Sequence, residues 1–215
     1  MKIYDLMPSV KELIPFDYEH IRTSEYDIII SDFFKFAGKE KLFIQISGAP
    51  GAGKTTFCKK FNNECFLSFD EIMENLPQYQ QDLQKFGNEQ AFKNNEITAR
   101  IIGYEILRRA IENNYKIVLE HSGVNPAHLE LFENLHKLGY QTKVDFILCD
   151  IKTSLKRAKI REKYTHRHTP EDMIRQRFAL INEYIEKYKK IADEIDIYDT
   201  TENKYILKKH FFHTI

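Results

Sequence analysis

A short apolar run, residues 41–47, leads into the glycine-rich stretch GAPGAGKTT, Gly48 to Thr56, and then into a helical pattern. The stretch fits G-x-x-x-x-G-K-[ST] at every fixed position. No other feature constrains the fold as strongly, because the pattern works only where a buried strand delivers a loop to the first turn of a helix. Gly48, Gly51 and Gly53 let the backbone approach a phosphate closely. Their amides, with that of Ala52, are expected to point inward as an anion nest, reinforced by the positive end of the helix. Pro50 has no amide and shapes the loop. Lys54 is expected to reach the β- and γ-phosphates, and Thr55 to hold Mg²⁺ through its hydroxyl with Thr56 beside it.

The rest of the chain repeats the alternation. Further strands are expected at residues 64–70, 116–122, 143–150 and 194–200. Helices are expected at 54–62, 96–113 and 154–163. Another opens on Asn125 and Pro126, carries Leu129, Phe132, Leu135 and Leu138 on one face and stops at Gly139. A last one is capped by Thr169, with Pro170 at its first position and Asp172 closing the cap. It keeps Ile174, Phe178, Ile181, Ile185 and Tyr188 on one face. Strands alternating with helices specify an α/β chain with a parallel sheet covered on both faces. Residues 1–40 form a lead with two short amphipathic helices, 71–95 a polar excursion with some helix of its own, and 154–170 a basic region.

With 215 residues, 42% of them hydrophobic, the chain can bury one α/β core but not two. Lysine and arginine total 32 and so do aspartate and glutamate, so bulk charge gives no support for nucleic-acid binding. Cys58, Cys65 and Cys149 lack metal-ligand spacing and read as reduced thiols in a cytoplasmic protein. No apolar run reaches membrane-spanning length, and the first ten residues lack the apolar stretch of a signal peptide.

A phosphate loop alone does not name a reaction. Guanine-reading N-K-x-D is missing, since Asn203-Lys204 lacks the aspartate, and there is no D-x-x-G. Polar residues instead gather at the C-terminal ends of strands, where open α/β sheets bind ligands. Asp70 ends the second strand and can take or orient the proton of an acceptor hydroxyl; it can equally cap the helix that follows. Glu120 ends the third strand and can hold Mg²⁺ through water or bind substrate, and Ser122 stands two residues on. Arg157 and Arg161 share one helix face, and Arg167 follows in the break. Between Lys152 and Arg167 there are seven basic residues and one acid, Glu162. Arginines there can close over a γ-phosphoryl group as charge spreads across it. His166 and His168 have the spacing of a metal pair but no further ligand nearby.

These residues resemble those of the zeta toxin kinases of toxin–antitoxin systems and their non-toxin relatives, over about residues 31–202. "SGAPGAGKTT" holds the family position. "DEIMENLPQY" is similar to the family's D-x-F-x-x-x-H-P-x-[YF], placing Asp70 as base with Pro77 and Tyr79 matching. "IVLEHS" resembles the strand ending E-G-T, placing Glu120 and Ser122 at substrate. "IREKYTHRHTPED" is similar to the arginine lid, with Arg161 and Arg167 as the γ-phosphate pair. Arg157 matches the first arginine of R-x-x-x-R lids in other small P-loop kinases. His121 and Val124 depart from the family's glycine and arginine, and Glu105 lies one residue from a family acid. The resemblance implies a P-loop kinase-like three-layer αβα sandwich with a five-stranded parallel sheet and helical lid. It implies ATP or GTP with Mg²⁺ as donor, a UDP-sugar such as UDP-N-acetylglucosamine as acceptor, and, for toxin members, an antitoxin protein. Two other readings share the P-loop: a polynucleotide 5′-hydroxyl kinase and a non-catalytic ATP-binding regulatory module.

Overall fold

The computed structural model describes residues 1–14, 26–35, 38–61, 66–165 and 167–212. The sheet has six strands: β1 (Leu42–Ser47), β2 (Phe66–Ser68), β3 (Ile117–Glu120), β4 (Gln141–Leu148), β5 (Glu194–Asp199) and β6 (Ile206–Phe212), in the order β2-β3-β1-β4-β5-β6. The first five are parallel; β6 returns antiparallel along β5. This sixth strand was not expected. Its residues are almost all exposed and so lack the alternation that marks a half-buried strand. Lys208 and Lys209 lie on it, charges that suit a strand at a sheet edge.

The helices are α1 (Ile3–Leu6), α2 (Asp27–Phe33), α3 (Lys54–Cys58), α4 (Phe69–Glu74), α5 (Pro77–Phe86), α6 (Asn88–Glu112), α7 (Pro126–Lys137), α8 (Ile151–Thr165) and α9 (Glu171–Tyr188). One face of the sheet carries the main core, where Phe43, Leu119, Val144, Phe146 and Ile195 meet apolar residues of α6, α7 and α9. The N-terminal lead belongs to this core through Ile3, Leu6, Met7 and Val10. The opposite face has a smaller cluster of Ile44, Ile46, Val118 and Ile147 under Phe57 and Cys58 of α3. Toward β5 and β6 that face turns ionic: Lys143 pairs with Glu194 and with Asp196 at 2.7 Å.

Two local expectations change. The excursion after Asp70 is helical almost throughout, and the helix expected from residue 96 begins at Asn88. Asn94 and Asn95 of α6 tie two of the excursion's helices together, donating to the Asp82 carboxylate of α5 at 3.0 and 2.9 Å. Thr169 does not cap α9. Pro170 holds that position without a side-chain cap bond, and the Thr169 hydroxyl accepts from Arg161 Nη2 at 2.6 Å instead. The Asn125 cap is present, its side chain accepting from the His128 amide at 3.1 Å.

Candidate active site

The phosphate loop is shaped by what passes close to it. Gly48 has φ 147° and Gly51 φ 85°. A Cβ at Gly48 would stand 2.2 Å from the Ile147 carbonyl oxygen, and one at Gly51 2.3 Å from that of Ser154. Any side chain would push the loop off the end of β4 and the start of α8. The Ser154 hydroxyl also donates to the Pro50 carbonyl at 2.6 Å, tying α8 to the loop.

A cavity of about 250 Å³ lies over this loop, lined by Gly51, Gly53, Lys54, Thr55, Thr56, Glu120, Arg157 and Arg161. Two residues expected to bind nucleotide serve the loop itself. The Ala52 amide donates to Ala49 at 3.1 Å and its methyl is buried under the sheet. The Gly48 amide donates to Ser122 at 3.4 Å. Arg157 lines the cavity with its guanidinium fixed on the turn after β5, donating to the Thr200 carbonyl at 2.6 Å and Asn203 Oδ1 at 2.7 Å.

Lys54 Nζ donates to the carbonyls of Gly48 and Ala49 at 2.9 and 3.2 Å. Burial lowers its pKa, and the carboxylates of Glu120 and Asp70 oppose that shift. The Thr55 hydroxyl donates to both Glu120 oxygens at 2.9 and 3.1 Å. Burial raises the Glu120 pKa, against the pull of Lys54 and the Thr55 hydrogen bond. A threonine hydroxyl beside a desolvated carboxylate is an all-oxygen donor pair, which fits the small hard ion Mg²⁺.

A second cavity, of about 130 Å³, opens on the other side of Lys54. Asp70, Ser122, Glu120 and Arg161 line it. Asp70 is not at a strand end: β2 stops at Ser68, which caps α4, and Asp70 sits in the first helical turn. Arg161 is drawn into both cavities by α8. Its Nε is buried without a hydrogen-bond partner among the described residues. Burial lowers its pKa, and the neighbouring Arg167 adds to that. Arg167, expected to clamp the nucleotide, lines neither cavity. It is 8% exposed and donates to Glu74 at 2.6 Å and to Asp70 Oδ2 at 3.3 Å. The His166 half of the histidine pair lies outside the described residues, as does Cys65; His168 Nδ1 lies 2.7 Å from Glu162.

Sequence reasoning gave no site role to three charged residues of the second cavity: Glu96 and Arg100 of α6 and Arg177 of α9. Their helices carry no motif, and only the packing of α6 and α9 brings them to the end of β3. The acid considered on that helix, Glu105, faces Arg108 and Arg109 at 2.7 Å instead. The Val124 side chain is buried in the main core.

His121, the next residue after β3, also lines the second cavity, and its ring stacks on that of His128 at 3.9 Å. His128 Nδ1 lies 2.6 Å from Gln45 Oε1, and Gln45 in turn donates to Tyr188 at 2.9 Å. Burial pushes the His128 pKa down to about 3 from the ordinary 6.5. The unfolded chain therefore binds this proton first. The stability contributed by neutral His128 is complete above about pH 6.5 and is lost as pH falls through that value toward the folded pKa. His121 is shifted the same way by burial and by His128. Urea midpoints should therefore drop between about pH 7 and pH 5, as the free energy of unfolding falls by at most about 1.4 kcal/mol per pH unit for each histidine. Midpoints unchanged across this range would contradict buried neutral imidazoles.

Fold and site together define a P-loop kinase-like α/β protein. The chain belongs to the zeta toxin family, whose sequence profile, described as Zeta toxin, matches residues 30–210. Among solved structures it is similar to a chain of the PezAT chromosomal toxin–antitoxin system of Streptococcus pneumoniae. That match has 17% identity and a TM-score of 0.67, and covers 89% of this chain and 82% of the other. It is also similar to a chain of the AvrRxo1-ORF1:AvrRxo1-ORF2 complex with sulphate ions, at 11% identity, TM-score 0.68, 89% of this chain and 67% of the other. The AvrRxo1-ORF1:-ORF2 complex with ATP gives 10% identity, TM-score 0.66 and the same coverage. At these identities the likeness is one of fold. A search of curated protein sequences finds no significant match. No helix among the described residues is long and apolar enough to cross a membrane.

Proposed function

We propose that the protein is a nucleoside-triphosphate-dependent kinase that moves a γ-phosphate to a hydroxyl of a small acceptor in the cytoplasm. The family resemblance points to a UDP-sugar such as UDP-N-acetylglucosamine. One observation carries this reading: the two cavities share Lys54, Glu120 and Arg161 and no other lining residue. A phosphoryl group leaving the loop side would pass between these side chains to reach the other side.

In this reading Gly51, Gly53 and Lys54 hold the donor phosphates, with Thr56 and Arg157 further out. The donor is ATP or GTP, and ATP is the one present in the AvrRxo1 complex. Thr55 and Glu120 would hold Mg²⁺, which supplies positive charge to the donor phosphates. Asp70 takes the proton of the acceptor hydroxyl, and Ser122 with Glu120 positions the acceptor. Arg161 meets charge on the transferring group through donors the protein leaves free. Arg167 orients Asp70 through its hydrogen bond to Oδ2. An antitoxin-like protein covering the donor cavity is the partner this reading admits.

The test is to incubate the protein with labelled ATP and a panel of UDP-sugars, nucleosides and oligonucleotides, then identify phosphorylated products by mass spectrometry. Transfer to a UDP-sugar, insensitive to salt, is the expected result. Transfer to an oligonucleotide with a steep salt dependence would move the assignment to a polynucleotide kinase. Tight ATP binding without any product would make the protein a regulatory module.

A further inference from the structure

We infer that Arg100 and Arg177 form an anion site on the α6–α9 wall of the second cavity, so that the acceptor carries a phosphate or carboxylate group apart from its reacting hydroxyl. Calling that molecule an acceptor rests on the kinase reading; the anion site itself does not.

The cavity lining holds four cations, Lys54, Arg100, Arg161 and Arg177, against three acids, Asp70, Glu96 and Glu120. Three of these groups have work at the reacting end: Asp70 faces Arg167, Glu120 holds Thr55, and Lys54 lies on the phosphate loop. Arg161 lies between the two cavities. The far wall is left with two guanidinium groups and one carboxylate.

Those three are not equivalent. Arg100 is pinned, its Nη2 ion-paired with Glu96 and its Nη1 donating to the Leu13 carbonyl at 3.3 Å. Arg177 is partly buried, and no hydrogen bond or ion pair holds it among the described residues. Burial and the positive charge of Arg100 both lower its pKa, while Glu96 opposes them. Glu96 neutralises one of the two guanidinium groups, through its ion pair with Arg100, so the wall keeps an uncompensated positive charge at Arg177 that an anionic ligand would meet. His121 lines the same cavity, and its imidazole, held neutral by desolvation, adds no charge to this wall.

The frame is rigid enough to select. Arg100 lies in the middle of a 25-residue helix and Arg177 within an 18-residue one. Phe69, Met73, Phe92 and Met173 line the same cavity. Apolar lining beside a cationic wall suits a ring bearing an anionic group. Guanidinium forks match phosphate and carboxylate oxygens in the same way, so the two are separated by experiment.

The donor site is first filled with Mg²⁺ and a non-hydrolysable ATP analogue, so that anions cannot report the phosphate loop. Pyrophosphate, succinate and neutral N-acetylglucosamine are then titrated by calorimetry. Pyrophosphate or succinate should bind, and which one does so identifies the anion. Arg177→Gln should weaken that binding about 10- to 100-fold, and Arg177→Lys should recover part of it. Affinity for the ATP analogue and the melting temperature should stay at wild-type values, showing that the variant is folded. The inference is overturned if neither anion binds, or if binding is equal in wild type and Arg177→Gln. The kinase reading fails separately: wild type would then phosphorylate no acceptor while Arg177-dependent anion binding persists.

Discussion

Asp70→Asn is expected to reduce phosphoryl transfer by about 10²- to 10⁴-fold, the range for loss of a positioned general base. Nucleotide affinity should change little. Asp70 lies in the first turn of α4 and lines the second cavity, not the one over the phosphate loop. Asparagine keeps the size of the side chain and one oxygen acceptor for Arg167, but it cannot take up the hydroxyl proton. Glu74 still anchors Arg167 at 2.6 Å, so the guanidinium should not collapse. Single-turnover rates and an equilibrium nucleotide titration on the same preparation separate the two effects. Full turnover in the variant would remove Asp70 from the chemistry.

Lys54→Met should act on donor and transition state together. Its ammonium group is desolvated, borders both cavities and, among the described residues, is hydrogen-bonded to the two loop carbonyls of Gly48 and Ala49. Removing one preorganised cation from the path of a transferring phosphoryl group costs about 10²- to 10³-fold in kcat, and weaker triphosphate binding should add to the loss in kcat/KM. The fold should survive, because methionine occupies a similar volume and no buried anion depends on Lys54 alone: Glu120 keeps its bonds from Thr55. Unchanged melting temperature with lost activity is the expected pattern. Retained triphosphate affinity and turnover would mean that Lys54 does not contact the donor.

Much of this arrangement was legible before any coordinates. The apolar run, the glycines at 48, 51 and 53 and the helix after them can be met by one local geometry, and the structure has it. β1 and β3 were readable as nearly continuous apolar runs, which burial on both faces leaves, and β5 by the alternation of Ile195 and Ile197 with acids. Asp70, Glu120, Ser122 and Arg161 were found from their places after strands or in the basic region, and all four line the second cavity.

Where the sequence was silent, the signal was physically absent. β6 is stabilised by pairing with β5 and not by burial, so no periodicity betrays it. Arg167 was placed near the phosphate by its position after α8, but Glu74 of α4 is its strongest partner. That pairing joins residues 93 apart in sequence, and nothing local encodes it.

The sequence by itself determined the parallel α/β order, the phosphate loop with Lys54 and Thr55, and the places of the acids after the strands and the arginines of the basic region, because strand burial, glycine conformation and helix capping are local or periodic demands. Only the tertiary structure decided how α6 and α9 close over the end of β3. Their packing brings Arg100, Arg177 and Glu96 together across residues 96 to 177. Which charges share a desolvated wall is set by long-range packing of apolar faces elsewhere on those helices, and such placement leaves no pattern in the chain.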